Sequence, residues 1–347
     1  MRKHAITIHE VAADANVSIA TVSRVLNEPW RVLPETKARV IASISKLDFV
    51  PNIRARLLAR GQSGTLCFLL SNRPFVHSIH AQVLQGASAK ADAMGLQVIY
   101  AGCTYQPDTP PDEIKLPRML AATGLIDGVV VAGTNYPNIL TALDEIDLPY
   151  VVFATNMVMH KGEQVKNGVY TDGERGGYLA GQYLLNLGHT KIRFIGDPAM
   201  PWYGRRYAGF RRAMQEAGLR CPPAVGTFEG REMDMGFDTT NQLLDAGEDF
   251  TALFVGGDAG ALGALRALRR RGRTVPGDVS LVGYNDDELA RIAEPPLTTI
   301  MGANEEAGMQ CVQMLDAIIR KTREADEPVI LPVRLIERES AGPPKAH

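Results

Sequence analysis

From Thr65 onward the chain alternates short apolar runs with amphipathic stretches, and this alternation limits the fold more than any other feature. Strand-like runs stand at 66–70, 96–100, 128–131 and 150–153, then at 169–170, 191–195, 253–255 and 279–282. Helical periodicity lies between them, at 80–94, 174–186, 205–217 and 260–271. Apolar strands separated by helices read as parallel sheets covered on both faces. Two series of similar length predict two lobes. Parallel sheets hold ligands at the carboxyl ends of their strands, so a cleft between the lobes is the expected binding site.

The first sixty residues follow a different pattern. Thr7 can cap a helix whose apolar residues Ile8, Val11, Ala12 and Ala15 share one face. Asn16 suits the left-handed conformation of the tight turn that follows. Ser18 can cap a second helix with Val22, Val25 and Leu26 pointing inward, and Pro34 opens a third with Val40, Ile41, Ile44 and Leu47 on one face. Two short helices joined by a few residues read as a helix-turn-helix, whose second helix enters a major groove. Ile19, Ala20 and Thr21 would face base edges there. Arg24 can make two hydrogen bonds to a guanine, and Ser18 and Ser23 suit phosphates. A small three-helix core with an ordinary polar surface is the plainer alternative.

Charge agrees with the first reading. Residues 1–60 carry ten Lys and Arg against five Asp and Glu, whereas the rest carries 27 against 34. A basic head on an acidic body favours a polyanionic partner for the head. Between the two parts, residues 51–61 could form a short helix with Asn52 as cap and Gly61 as terminator, although a plain linker would serve. Three arginines on so short a segment repel one another unless the helix folds against an anion.

The run from Ile6 to Asn27, continued by Glu35-Thr36, Pro51-Asn52 and Ala55-Arg56, resembles the DNA-binding head of the lactose-repressor (LacI/GalR) family. The body resembles that family's effector domain, which is itself similar to periplasmic sugar-binding proteins. The marks are Asp172 with Gly176-Gly177, Leu187 to Gly196, Arg206 to Phe210, Gly256 to Asp258, Asp278 to Tyr284 and Pro295 to Ile300. The resemblance implies a helix-turn-helix and hinge over residues 1–60 and a two-lobed sensor over 61–347. It implies DNA contacts at Thr7, Ser18, Ile19, Ala20, Thr21, Ser23, Arg24, Asn27, Asn52, Ala55 and Arg56. Leu58 stands where the family's wedging leucine enters the minor groove. Leu33 departs from the pattern, because it replaces a serine that caps the third helix.

The resemblance also places effector contacts at His77, Ile79, His80, Thr155, Asn156, Trp202, Arg206, Asp258 and Asn285. Arg206 offers a planar fork to paired hydroxyls or a carboxylate. Asn285 stands where the family has an aspartate, Gly257 where it has an asparagine, and Thr155-Asn156 where many members have Asp-Arg. Charged positions have become neutral, so a neutral, hydroxyl-bearing sugar is expected rather than a phosphosugar. A nucleobase or other metabolite acting as corepressor is the alternative, and a sugar-binding protein without a DNA role is a further one.

Enzymatic readings find little support. His77 and His80 stand three apart but lack a third ligand at a usual spacing, so no metal is expected. The stretch 173–177 fits no dinucleotide or Walker pattern, and no Gly-x-Ser-x-Gly elbow occurs. Asp286 and Asp287 read as solvent-facing or capping residues, and Arg269, Arg270 and Arg271 as complements to a helix end. The four cysteines are scattered, which suits a reducing compartment. No secretory pattern or membrane span is evident. The expectation is a cytoplasmic, non-enzymatic, cofactor-free homodimer that binds a pseudo-palindromic duplex. It has no leucine heptads that would build a tetramer.

Overall fold

The computed structural model describes residues 6–27, 31–49, 62–73, 78–122, 124–159, 165–322 and 327–345. They divide into two units, Met1–Gln62 and Ser63–His347. In the first unit, α1 (Ile8–Asp14), α2 (Ile19–Asn27) and α3 (Pro34–Lys46) close around Val11, Ala12, Ala15, Val22, Val25, Val40 and Phe49. Each start has a local cause. The Glu10 carboxylate accepts the backbone N–H of Thr7 (2.7 Å) and its hydroxyl (2.9 Å), and the Ser18 hydroxyl accepts the Thr21 N–H (3.1 Å). Asn16 takes φ 49° in the turn between α1 and α2, as its short amide permits. Lys46 of α3 donates to Asp14 (2.6 Å), which holds that carboxyl below its ordinary range. Leu33 precedes α3 with no side-chain cap and is 76% exposed.

The second unit holds two sheets. The first lobe is built on β1 (Thr65–Ser71), β2 (Gln97–Cys103), β3 (Gly128–Gly133), β4 (Tyr150–Phe153), β5 (Gly168–Thr171) and β10 (Val329–Leu331). Their order is β10-β5-β4-β3-β1-β2, and every pair is parallel. The second lobe is built on β6 (Ile192–Ile195), β7 (Ala252–Val255), β8 (Ser280–Tyr284), β9 (Thr298–Gly302) and β11 (Val333–Ile336), in the order β11-β9-β8-β7-β6. Here β11 runs antiparallel to β9, a departure from the purely parallel expectation. A second correction concerns β5. The run at 169–170 was expected to open the second series, yet it pairs with β4 and β10 and so belongs to the first lobe. An apolar run does not reveal which sheet will accept its hydrogen bonds.

The chain passes between the lobes three times, after β5, after β9 and between β10 and β11. The passages lie side by side. The Asp172 N–H donates to the Leu331 carbonyl (2.9 Å), and a methyl group on Gly302 would sit 3.4 Å from Thr171. Asp172 then caps the helix Gly173–Asn186 by accepting the Arg175 N–H (2.8 Å). This helix lies against the helix Pro201–Glu216, and the two touch backbone to backbone. A side chain at Gly177 would strike the Arg206 carbonyl, and one at Gly209 the Glu174 carbonyl.

The exposed, capless Leu33 generates a prediction. Leu33→Ser should supply the missing oxygen acceptor and raise the unfolding free energy of the helical unit by about 1 kcal/mol. Urea denaturation followed by circular dichroism would check it, with an unchanged midpoint counting against the assignment.

Candidate functional site

A recess opens between the two lobes of the second unit, lined by Arg73, Ile79, His80, Asn156, Trp202, Arg206, Glu232 and Asn285. Its residues come from strand ends and helix starts, where parallel sheets leave backbone and side chains free to converge. Arg73 follows β1, Ile79 and His80 begin the helix Ser78–Ala93, and Asn156 follows β4. Trp202 and Arg206 lie in the first turns of the helix Pro201–Glu216, Glu232 starts the helix Glu232–Asp245, and Asn285 follows β8. The space open to water is about 10 Å³, room for roughly one water molecule.

Arg206 forms the floor. It is buried, donates from Nη1 to the Gly256 carbonyl and from Nη2 to Asn285 Oδ1 (3.2 Å), and stacks on Tyr284 with Cζ 3.7 Å from the ring centre. Arg73 covers the other side. Its Cζ lies 5.5 Å from the Trp202 ring and 5.7 Å from that of Phe228, so a first-lobe cation rests on second-lobe aromatics. Burial pushes the Arg73 pKa down, and the charge of Glu232 opposes that shift. Arg73 Nε is buried without a hydrogen bond among the described residues, and Glu232 lies beside the buried Tyr203 hydroxyl, whose pKa is pushed up by burial and by the Glu232 charge. Two further contacts join the lobes beside the recess. Arg205 donates to the Thr155 carbonyl, and Ser78 Oγ donates to Asp287 (2.5 Å). Burial and the neighbouring Arg206 charge both lower the Arg205 pKa.

The structure therefore brings Ile79, His80, Asn156, Trp202, Arg206 and Asn285 together, and the Asn156 amide lies 3.4 Å from His80 Nε2. It does not place Thr155 or Asp258 on the lining. The Thr155 hydroxyl accepts the Thr171 N–H (3.1 Å), tying β5 to the turn after β4. Asp258 is fully buried behind the wall, where it accepts the Thr299 hydroxyl (2.7 Å) and the Asp287 N–H (2.8 Å). That carboxylate clamps the segment in which Asn285 and Asp286 take positive φ, 117° and 56°, and so aims Asn285 at Arg206. Burial and the Asp287 charge push the Asp258 pKa up to about 7. His77 lies outside the described residues.

Asp286 and Asp287 correct another expectation. Neither faces solvent: Asp286 is buried and pairs with Arg291 (2.8 Å) and Arg338 (2.5 Å), while Asp287, also buried, stands at the N-cap position of the helix Glu288–Ile292, as the capping alternative had it, without a side-chain cap bond. The sequence reading missed Arg73 and Glu232. Arg73 stands directly after a predicted strand, at the carboxyl end where ligand groups gather, and that position was the available signal. Glu232 starts a helix that the periodicity left unassigned.

On the helical unit, Thr7, Ser18, Ile19, Ala20 and Arg24 are exposed, and Thr21 and Ser23 are half-buried. Ile19, 41% exposed, and Arg24 project from α2, whose opposite face carries the buried Val22 and Val25. Asn27 ends α2 as backbone. Asn52, Ala55, Arg56 and Leu58 lie outside the described residues.

Comparison with known proteins adds an independent line. Residues 7–52 match the model of bacterial regulatory proteins of the lacI family, and residues 182–341 match a periplasmic binding protein-like domain. The chain is 32% identical over 342 residues to the HTH-type transcriptional regulator DegA of Bacillus subtilis (strain 168), covering 97% of this chain and 98% of that one. Among solved structures it is similar to the transcriptional regulator CelR–cellobiose complex (TM-score 0.70, 30% identity, 96% and 99% of the two chains). It is also similar to the lac repressor dimer bound to operator and the anti-inducer ONPF (TM-score 0.67, 26% identity, 98% and 100%).

The buried Asp258 makes stability depend on pH. Its folded pKa, about 7, lies above the usual carboxylate value, so the folded state keeps this proton after the unfolded state has lost it. Stability from this group falls as pH rises through that interval and levels off above pH 7. Between pH 6 and 8 the wild type should lose about 1 kcal/mol relative to Asp258→Asn. Paired denaturation curves at the two pH values would check this. Parallel losses in both proteins would remove Asp258 as the cause.

Proposed function

Because the chain belongs to the lacI family of bacterial regulatory proteins, we propose that it is a sequence-specific transcriptional regulator, acting as a repressor. A small molecule in the recess sets its grip on a pseudo-palindromic operator. The observation that carries this reading is the presence of both parts in one chain. A helix with an exposed Ile19-Ala20 start and Arg24 one turn on stands ahead of a two-lobed body with a polar recess at its strand ends.

Residues 1–60 read DNA and residues 61–347 sense the effector. Ile19, Ala20, Thr21 and Arg24 meet base edges, and Thr7, Ser18 and Ser23 meet phosphates, which position the helix without specifying sequence. Asn27, Asn52, Ala55, Arg56 and the wedging Leu58 complete the DNA contacts. The regulator works as a homodimer, because a two-fold protein fits half-sites one helical turn apart, as the dimeric lac repressor does on its operator.

In the body, Ile79, His80, Asn156, Trp202, Arg206 and Asn285 hold the effector, and His77 is proposed as a further contact. Asp258 shapes the wall and Thr155 the turn. The CelR complex holds cellobiose, and the mix of aromatic and amide side chains here suits a hydroxyl-rich molecule of the sugar class. The recess has room for a water only, so the effector enters by parting the lobes and breaking the Arg205–Thr155 and Ser78–Asp287 contacts. Its differential affinity for the two lobe arrangements then shifts DNA affinity by linkage. Among the described residues, no group of metal-ligating side chains and no helix long and apolar enough to cross a membrane occurs. The proposal is a cytoplasmic regulator without enzymatic activity.

Selection from a random duplex library tests the DNA arm. Wild type should recover a pseudo-palindrome. Arg24→Ala should recover a relaxed half-site and bind the wild-type sequence weaker by roughly 1–3 kcal/mol. Full retention of base preference in the variant would mean that α2 is not the reading helix.

A further inference from the structure

Sequence comparison alone counts only the charges lost at Thr155, Asn156 and Asn285, and so favours a neutral ligand. The folded recess gives a different balance. The lining side chains of fixed charge are Arg73, Arg206 and Glu232, two cations and one anion. Arg206 makes its two hydrogen bonds to a backbone carbonyl and to an amide oxygen, neither of which carries a full charge. An aspartate at position 285 would have neutralised it; Asn285 does not. Behind the wall, the carboxylates of Asp258, Asp286 and Asp287 add little net charge. Asp286 is offset twice over, by Arg291 and Arg338.

Glu232 has been admitted to the recess by another local change. A Cβ at Gly257 would lie 2.7 Å from Glu232 Oε2, so the glycine leaves room for this carboxylate, which a side chain there would push aside. Arg73 Nε is buried and unpartnered among the described residues, a donor awaiting an acceptor, and Glu232, which lies beside the buried Tyr203 hydroxyl, keeps further carboxylate lone pairs for a second donor. The cost of leaving such a donor unpaired is met when a ligand supplies the complement.

We infer that the effector is a polyhydroxy monocarboxylate, a sugar acid whose carboxylate neutralises the excess positive charge of the recess while one of its hydroxyls donates to Glu232. The inference rests on the cleft being the effector site. A planar carboxylate matches the guanidinium fork, and a single negative charge matches the net single positive charge of the lining. A phosphate monoester carries close to two charges and would meet Glu232 with the excess.

Calorimetry and thermal shift on the full-length chain can test this with D-glucuronate and D-gluconate against D-glucose, D-glucose 6-phosphate and hypoxanthine. Asn285→Asp and Glu232→Gln are measured beside the wild type. Both variants are near-isosteric, and their ligand-free melting curves report whether they fold. The acids should bind wild type at least about tenfold more tightly than glucose. Asn285→Asp should erase that preference, and Glu232→Gln, which raises the lining charge, should improve the phosphate ester relative to glucose. Tighter binding of glucose or hypoxanthine, or an acid preference unmoved by Asn285→Asp, would overturn the sugar-acid assignment and leave the cleft as effector site intact. Silence of the acids also overturns it, and silence of every probe would remove the cleft reading as well.

Discussion

Arg206 is a permanent cation inside the protein, satisfied by the Gly256 carbonyl, the Asn285 amide and the face of Tyr284. Burying such a charge costs several kcal/mol unless its surroundings are fixed in place beforehand. Much of the second lobe supplies that fixity. Gly256 ends the run after β7, Tyr284 ends β8, and Asn285 is held in a left-handed conformation by the Asp258 clamp on Asp287. Tyr284 is in turn pinned from behind, since any side chain at Gly176 would strike its ring. The floor of the recess is thus a consequence of how two strand ends and three helix starts are packed, and it cannot loosen locally without exposing the charge.

The packing that fixes this floor recurs. Three helix pairs meet through reciprocal glycines: Gly177 and Gly209 between the helices on either side of β6, Gly86 and Gly308 in the first lobe, and Gly236 and Gly263 beside β7. At each of these positions a methyl group would collide with a backbone carbonyl of the partner helix. Close approach of this kind leaves no slack for an added methylene. The chain joins the lobes at the three adjacent passages near Asp172, Gly302 and Pro332.

Much of this was legible beforehand. The capping residues Thr7 and Ser18, the left-handed Asn16 and the missing cap at Leu33 are local chemistry, and local chemistry survives folding unchanged. Arg206 and Asn285 could be placed at the recess because they sit in recognisable runs. Arg73 and Glu232 could not, because their importance comes from burial against Trp202, Phe228 and Gly257, residues far away along the chain. Asp258 shows how a side chain's direction is set by tertiary partners. Its family position pointed at the ligand, but its carboxylate turns to Thr299 and Asp287 and acts through them.

By itself the sequence determined the helical head and the alternation of strands with helices through β8, apart from the helix at Glu232, since these follow from side-chain periodicity and capping. Tertiary structure alone decided that β5 joins the first sheet, that β11 reverses beside β9, and that Asp286 is buried between two arginines. It also decided the net charge of the recess. Pairing, burial and charge balance are properties of groups brought together from distant points, and no local pattern carries them.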